Sequence, residues 1–265
     1  THLRRGTRYA VRRHHDAVHV STLHLHLNGR HYLRADGLFC ISDWQLATVP
    51  TDYRGRVFLV PNSLVPHPRL PVARVRELRA EFGAGDDDYL IGGVGRLVGR
   101  KGFDLLIRAF ERAKLPNARL VIVGDGYRRG ALERLAGERV FFAGFRRDVK
   151  DLYQAFDLFV CPSRYEPFGR VIAEALDGGV PVVATDAQGP RDLSRSAPID
   201  LVPCDDVAQL AGNPEGHFER LDIRRRHPQR GVVGGDVDQR EAGALALGDE
   251  APVAVDDHPL AIADA

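Results

Sequence analysis

From residue 72 onward, short apolar runs alternate with amphipathic ones, and this alternation limits the fold more than any other feature of the chain. Runs of strand length stand at 89–94, 118–123, 140–142, 157–161, 180–184 and 199–202. Between them, 72–82, 103–113, 128–136 and 149–156 carry helical patterns, and a further helix is expected from about Phe168. Phe103, Leu106, Ile107, Phe110 and Ala113, for example, share one helix face. Repeated β-α units of this length predict an α/β fold, a parallel sheet covered by helices on both faces. Ligands of such sheets bind beyond the carboxyl ends of the strands.

The chain is less regular on either side. Residues 61–71 hold four prolines in eleven positions, which excludes helix and inner strand and predicts a linker at a domain boundary. Before it, residues 1–15 read as a basic arm without period. Residues 17–27 alternate loosely as a strand, 37–41 form a short buried strand, and 56–60 form another. Ser42 or Asp43 caps a helix expected from Trp44. Beyond Ala211 the pattern collapses, and residues 218–265 carry one aromatic, Phe218. That tail is expected to be a frameshifted or degraded end, with an acidic disordered tail as the alternative.

Composition narrows the function classes. A net charge of +1 gives no global pull toward nucleic acid or a membrane surface. Cys40, Cys161 and Cys204 lack metal or redox spacing and are expected to be reduced core thiols of a cytosolic protein. Seven of the eleven histidines fall within residues 1–31. His24 and His26 share a strand face, but no Asp, Glu or Cys completes a metal set, so surface histidines are expected. No Met is present, which suggests a fragment. The only lysines are Lys101, Lys114 and Lys150, so a lysine at a chemically special place carries more information than an arginine.

Two loops carry the chemistry. Residues 94–102, Val-Gly-Arg-Leu-Val-Gly-Arg-Lys-Gly, follow the first strand of the repeating region. Gly95, Gly99 and Gly102 let backbone approach a ligand, while Arg96 and Lys101 bring positive charge beside a helix start, a combination suited to a diphosphate. Residues 163–175, Ser-Arg-Tyr-Glu-Pro-Phe-Gly-Arg-Val-Ile-Ala-Glu-Ala, open as a turn and continue as a helix. Glu166 is expected in the loop and Glu174 about two turns into the helix. The N–H groups of Phe168 to Val171 are expected to lack helical partners and to face an anion or sugar oxygens. Phe145, in the Gly-Phe pair after the third strand, stands where a base would be contacted, and Arg191 and Asp192 follow a Gly-Pro loop at 189–190.

These residues resemble a family 4, GT-B-type retaining glycosyltransferase, from about Ala35 to Ala211. The likeness rests on GRLVGRKG (95–102), the Val-Gly-Asp-Gly run ending at Gly126, the GF pair at 144–145 and EPFGRVIAE (166–174), with ADGLFCISDW (35–44) and VPNSL (60–64) upstream. The resemblance implies a Rossmann-like donor domain over 72–212, a remnant of the acceptor domain over 1–60, a linker at 61–71 and an atypical tail at 213–265. It implies donor-binding roles for Gly95, Arg96, Lys101, Phe145, Glu166, Phe168, Gly169, Arg170 and Glu174. Of these, Arg96, Lys101 and Glu166 are the catalytic candidates, and Glu174 takes the ribose hydroxyls. No metal and no cofactor are expected; a nucleotide-diphosphate sugar is the substrate. The implied partners are that donor and a glycan or lipid-linked acceptor of bacterial envelope synthesis, without nucleic acid. The implied location is the cytoplasm or the inner face of the plasma membrane, an intact relative touching the membrane peripherally.

Three departures follow. Only the last portion of a first domain is present, the family's closing helix is replaced by the tail, and Ala187-Gln-Gly-Pro-Arg191 stands where a glycine pair followed by Glu is commoner. One alternative is a non-catalytic nucleotide-sugar binding module, which sugar transfer by this chain would exclude. A further alternative, an NAD-dependent oxidoreductase or epimerase, lacks both an acid about twenty residues past the glycine loop and a Tyr-x-x-x-Lys pair.

Overall fold

A computed structural model describes residues 7, 8, 10, 11, 17–27 and 29–212; the expectation for the tail, and most of that for the arm, lies outside the described residues. Thr7, assigned to the arm, is buried and hydrogen-bonds Ser21 at 3.0 Å, so this part of the arm is packed. The chain divides into two units, the first within residues 1–63 and the second beginning at Leu64.

The first unit is a three-stranded parallel sheet in the order β1 (Val20–Leu23), β2 (Gly37–Cys40), β3 (Arg56–Leu59). Only four residues of the loose alternation at 17–27 join it, over Leu23, Tyr32, Ala35, Leu38 and Cys40 as core. The helix expected from Trp44 is a single turn, α1 (Asp43–Leu46), without a side-chain cap bond from Ser42. Its Gln45 is buried, accepts from Ile41 N–H at 2.6 Å and donates to the Leu23 carbonyl at 2.8 Å, which ties β1 to the end of β2.

In the second unit every expected strand forms. β4 (Tyr89–Val94), β5 (Ala118–Val123), β6 (Val140–Gly144), β7 (Leu158–Cys161), β8 (Val182–Thr185) and β9 (Ile199–Val202) make one parallel sheet in the order β6-β5-β4-β7-β8-β9. Helix α2 (Val72–Ala80) precedes the sheet, α3 (Phe103–Ala113), α4 (Arg129–Leu135), α5 (Val149–Ala155), α6 (Arg170–Asp177) and α7 (Gln188–Leu193) connect its strands, and α8 (Val207–Ala211) follows β9. Alternate residues of β5 point to opposite faces. Leu120 and Ile122 join Phe103, Leu106 and Phe110 in one core, and Val121 and Val123 join Phe156, Phe159 and Ile172 in the other. The chain passes from the β6 edge back across the sheet to β7, so strand order reverses between β4 and β7. A crevice opens beyond the carboxyl ends of such a pair.

Four local expectations need correction. α6 begins at Arg170 rather than Phe168, because Gly169 stands in the left-handed region at φ 99° and caps the helix. Glu174 therefore lies little more than one turn in. Gly189 and Pro190 are in the first turn of α7 rather than in a loop, a place where proline loses no helical hydrogen bond. Cys40 and Cys161 are buried, but Cys204 is exposed, in the turn after β9. The division between the two units falls within the proline-rich segment, where a boundary was expected, and the segment's later part packs on helices of the second unit. His67 N–H donates to Asp177 at 2.9 Å, its Nε2 meets Asp151 at 2.5 Å, and Leu70 N–H donates to Gln154 at 2.9 Å, which ties 67–70 to α5 and α6.

Candidate functional site

Two loops meet beyond the ends of β4 and β7. The first, 95–102, closes with a 3-10 turn at Gly99–Lys101, and Gly102 then caps α3 at φ 66°. A Cβ on Gly102 would stand 1.9 Å from the carbonyl oxygen of Pro162 in the second loop. Glycine is thus required twice, by conformation and by the backbone contact between the loops. The second loop is itself held from beneath. Thr185 Oγ1 donates to the Ser163 carbonyl at 2.5 Å, and Gly189 N–H donates to the Glu166 carbonyl at 2.8 Å.

This packing brings Lys101 and Glu166 together. Lys101 Nζ is hydrogen-bonded to Glu166 Oε2, with both side chains largely buried, and Ser163 Oγ lies 3.4 Å from the same oxygen. Just beyond, the N–H groups of Phe168, Gly169, Arg170 and Val171 meet no acceptor among the described residues, whereas those of Ile172 and Ala173 bond the Gly169 carbonyl. A charge pair and four free donors in a row supply the kind of groups that hydrogen-bond an anion.

Glu174 belongs to the same helix. Its Oε2 accepts from the hydroxyl of Tyr153 on α5 at 3.1 Å, and its Oε1 is 3.3 Å from Arg170 Nη2. Tyr153 is fully buried; burial first, and the adjacent Glu174 carboxylate second, push its phenol well above the ordinary range, so it remains a donor.

The other expected residues are placed differently. Arg96 is exposed and makes no ion pair among the described residues. Gly95 N–H donates to the Val123 carbonyl at 2.9 Å, so its role in the structure includes pairing the loop to β5. Phe145 is 75% exposed at the end of β6, and Tyr127, past the end of β5, is 81% exposed. Arg191 pairs with Asp186 at 2.7 Å. Among the described residues no three His, Cys, Asp or Glu side chains form a metal-binding group.

Arg164, Asp104 and Tyr153 were not singled out from sequence. Arg164 makes a two-pronged contact with Asp104, both bonds 2.8 Å, and its guanidinium holds the Asp104 carboxyl below the usual range. In a chain whose basic residues are nearly all arginine, its residue type carried no signal; its place two positions before Glu166 did.

Residues 74–211 match the family described as "Glycosyl transferases group 1". The lipopolysaccharide core biosynthesis glycosyltransferase LpsE of Rhizobium meliloti (strain 1021) is 36% identical over 159 residues, 58% of this chain and 46% of that relative. A GDP-mannose-dependent alpha-mannosyltransferase of Mycobacterium tuberculosis (strain CDC 1551 / Oshkosh) is 40% identical over 124 residues, 46% of this chain and 32% of that one. The chain spans about half the length of the curated relatives it matches first. Among solved structures, Anabaena Alr3699/HepE in complex with UDP superposes with a TM-score of 0.63 at 26% identity, over 79% of this chain and 63% of that one.

Proposed function

The chain belongs to the glycosyl transferases group 1 family, and from that premise we propose that its second unit is the donor-binding half of a retaining glycosyltransferase. In this reading a sugar passes from a nucleotide diphosphate to a glycan or lipid-linked acceptor of envelope polysaccharide or lipopolysaccharide synthesis. The observation that carries it is the Lys101–Glu166 pair standing beside the four free N–H groups of Phe168 to Val171 at the point where strand order reverses. The names of the relatives support it, since one acts on GDP-mannose and one holds UDP.

The chemistry follows from the charges. As the glycosidic bond breaks, negative charge grows on the leaving diphosphate. Lys101 and Arg96 lie on the glycine loop and stabilise that charge, with the N–H groups at the start of α6 adding dipoles that need no rearrangement. No metal is required in this scheme. Glu166, paired with Lys101 in the free protein, exchanges part of that contact for sugar hydroxyls when the donor enters. Glu174, oriented by Tyr153 and Arg170, accepts from the ribose.

Calorimetric titration with UDP, GDP, ADP and NAD tests the reading. One nucleoside diphosphate is expected to bind saturably. Lys101→Ala and Glu174→Ala are each expected to weaken it by about 30-fold, on the order of 2 kcal/mol for a lost charge-assisted contact. Saturable NAD binding with no response to the diphosphates would overturn it.

A further inference from the structure

We propose that Arg164 is the positioning residue that sets Lys101 at the donor site, an inference that rests on the donor reading above. Arg164 lies in the second loop, yet two consecutive carbonyls of the first loop's turn accept from it. Its side-chain Nη1 donates to Gly99 O at 2.9 Å, and its backbone N–H donates to Arg100 O at 2.9 Å. Lys101 is the next residue. Three more of its donors are engaged. Nη1 and Nη2 grip Asp104, in the first turn of α3, at 2.8 Å each, and Nε meets Asp205, held at φ 61° after β9, at 2.5 Å. One guanidinium therefore joins the β4–α3 turn, the start of α3 and the β9–α8 connection to the loop that carries Glu166.

The arrangement does more than add an ion pair to the fold. Lys101 and Glu166 sit on different loops, and their contact depends on the height of the Gly99–Lys101 turn over the second loop. Gly102 sets one end of that turn through its backbone contact with Pro162, and Arg164 sets the other. A planar fork with five donors makes this four-acceptor junction, whereas lysine, a compact single charge, has no such geometry. Asp104 is the anchor: its side chain is 19% exposed, so it is the better-buried of the two carboxylates on Arg164, Asp205 being 59% exposed.

The test uses the whole chain and two variants, Arg164→Gln and the double variant Asp104→Asn/Arg164→Gln. The double variant removes the carboxylate left without its partner and so preserves folding where the single one fails. Acetylation followed by peptide mass spectrometry reads the reactivity of Lys101 against exposed Lys114. Calorimetry reads the Kd for the nucleoside diphosphate bound by the wild type. Lys101 is expected to label severalfold faster in the folded variants, and their Kd is expected to rise by about tenfold, one decade of affinity. Unchanged labelling or unchanged Kd in folded variants overturns the assignment, even where thermal stability falls, since that is what a purely structural ion pair predicts. A wild-type chain that binds no nucleoside diphosphate overturns the donor reading, and the donor role of Arg164 with it, while the labelling still reports whether Arg164 places Lys101.

Discussion

Tyr153 and Glu174 are separated by 21 positions, and a single hydroxyl hydrogen bond joins them. With Arg170 on the other oxygen, both oxygens of Glu174 are spoken for in the free protein, which fixes the direction of the carboxylate. Tyr153→Phe keeps the packing and removes one donor, so it is expected to cost about 1 kcal/mol of stability. Diphosphate binding is expected to weaken severalfold because Glu174 loses its aim. Urea unfolding and titration check the two effects separately, and full-strength binding in the destabilised variant would mean that the orientation of Glu174 does not matter. Asp104 allows a second test, by pH. Its folded-state pKa is lowered, first by the hydrogen bonds from Arg164. Its contribution is therefore fully present above the unfolded value of about 3.9 and is lost as pH falls through the lowered folded value. Asp104→Asn is expected to be less stable than the wild type near neutrality, with the gap closing below about pH 4. A gap constant into strong acid would show that the carboxylate charge contributes nothing.

At the scale of elements, the loop before α3 depends on one small residue. Gly102→Ala would force a Cβ into the Pro162 carbonyl at a left-handed φ. It is expected to cost about 2–3 kcal/mol and to loosen Lys101 from Glu166. A thermal melt checks the first effect and lysine labelling the second; an unshifted melting temperature would refute the contact. The strands and helices of the second unit were legible because periods of 2 and 3.6 residues are imposed by which face is buried, as the split of β5 between two cores shows. Element ends were less legible. The start of α6 is set by the left-handed backbone of Gly169, and the first turn of α7 carries the Gly189 N–H bond to the Glu166 carbonyl; neither is encoded in a hydrophobic period. The partners of the site were illegible for the same reason. Arg164 reaches Asp104 across 60 positions and Lys101 reaches Glu166 across 65, and no local pattern encodes such a pairing.

At the scale of the molecule, the donor reading assigns the chemistry to one unit of two. Lys101, Glu166, Glu174 and the free N–H groups of α6 all lie beyond Leu64, where the second unit begins. A ligand that binds only there stabilises only what it touches and the structure folded with it. At about 100 times its Kd, the nucleoside diphosphate adds about 2.7 kcal/mol, close to a hundredfold slowing of exchange for amides that open with the site. Hydrogen exchange with mass spectrometry is therefore expected to slow most in peptides covering 95–105 and 163–175. The N–H groups of Phe168 to Val171, unpaired in the free protein, should change most. Peptides within 17–60 are expected to exchange as before. Protection spreading into 17–60 would mean that residues of the first unit complete the donor site. Protection absent from 163–175 despite saturable binding would place the ligand elsewhere in the chain.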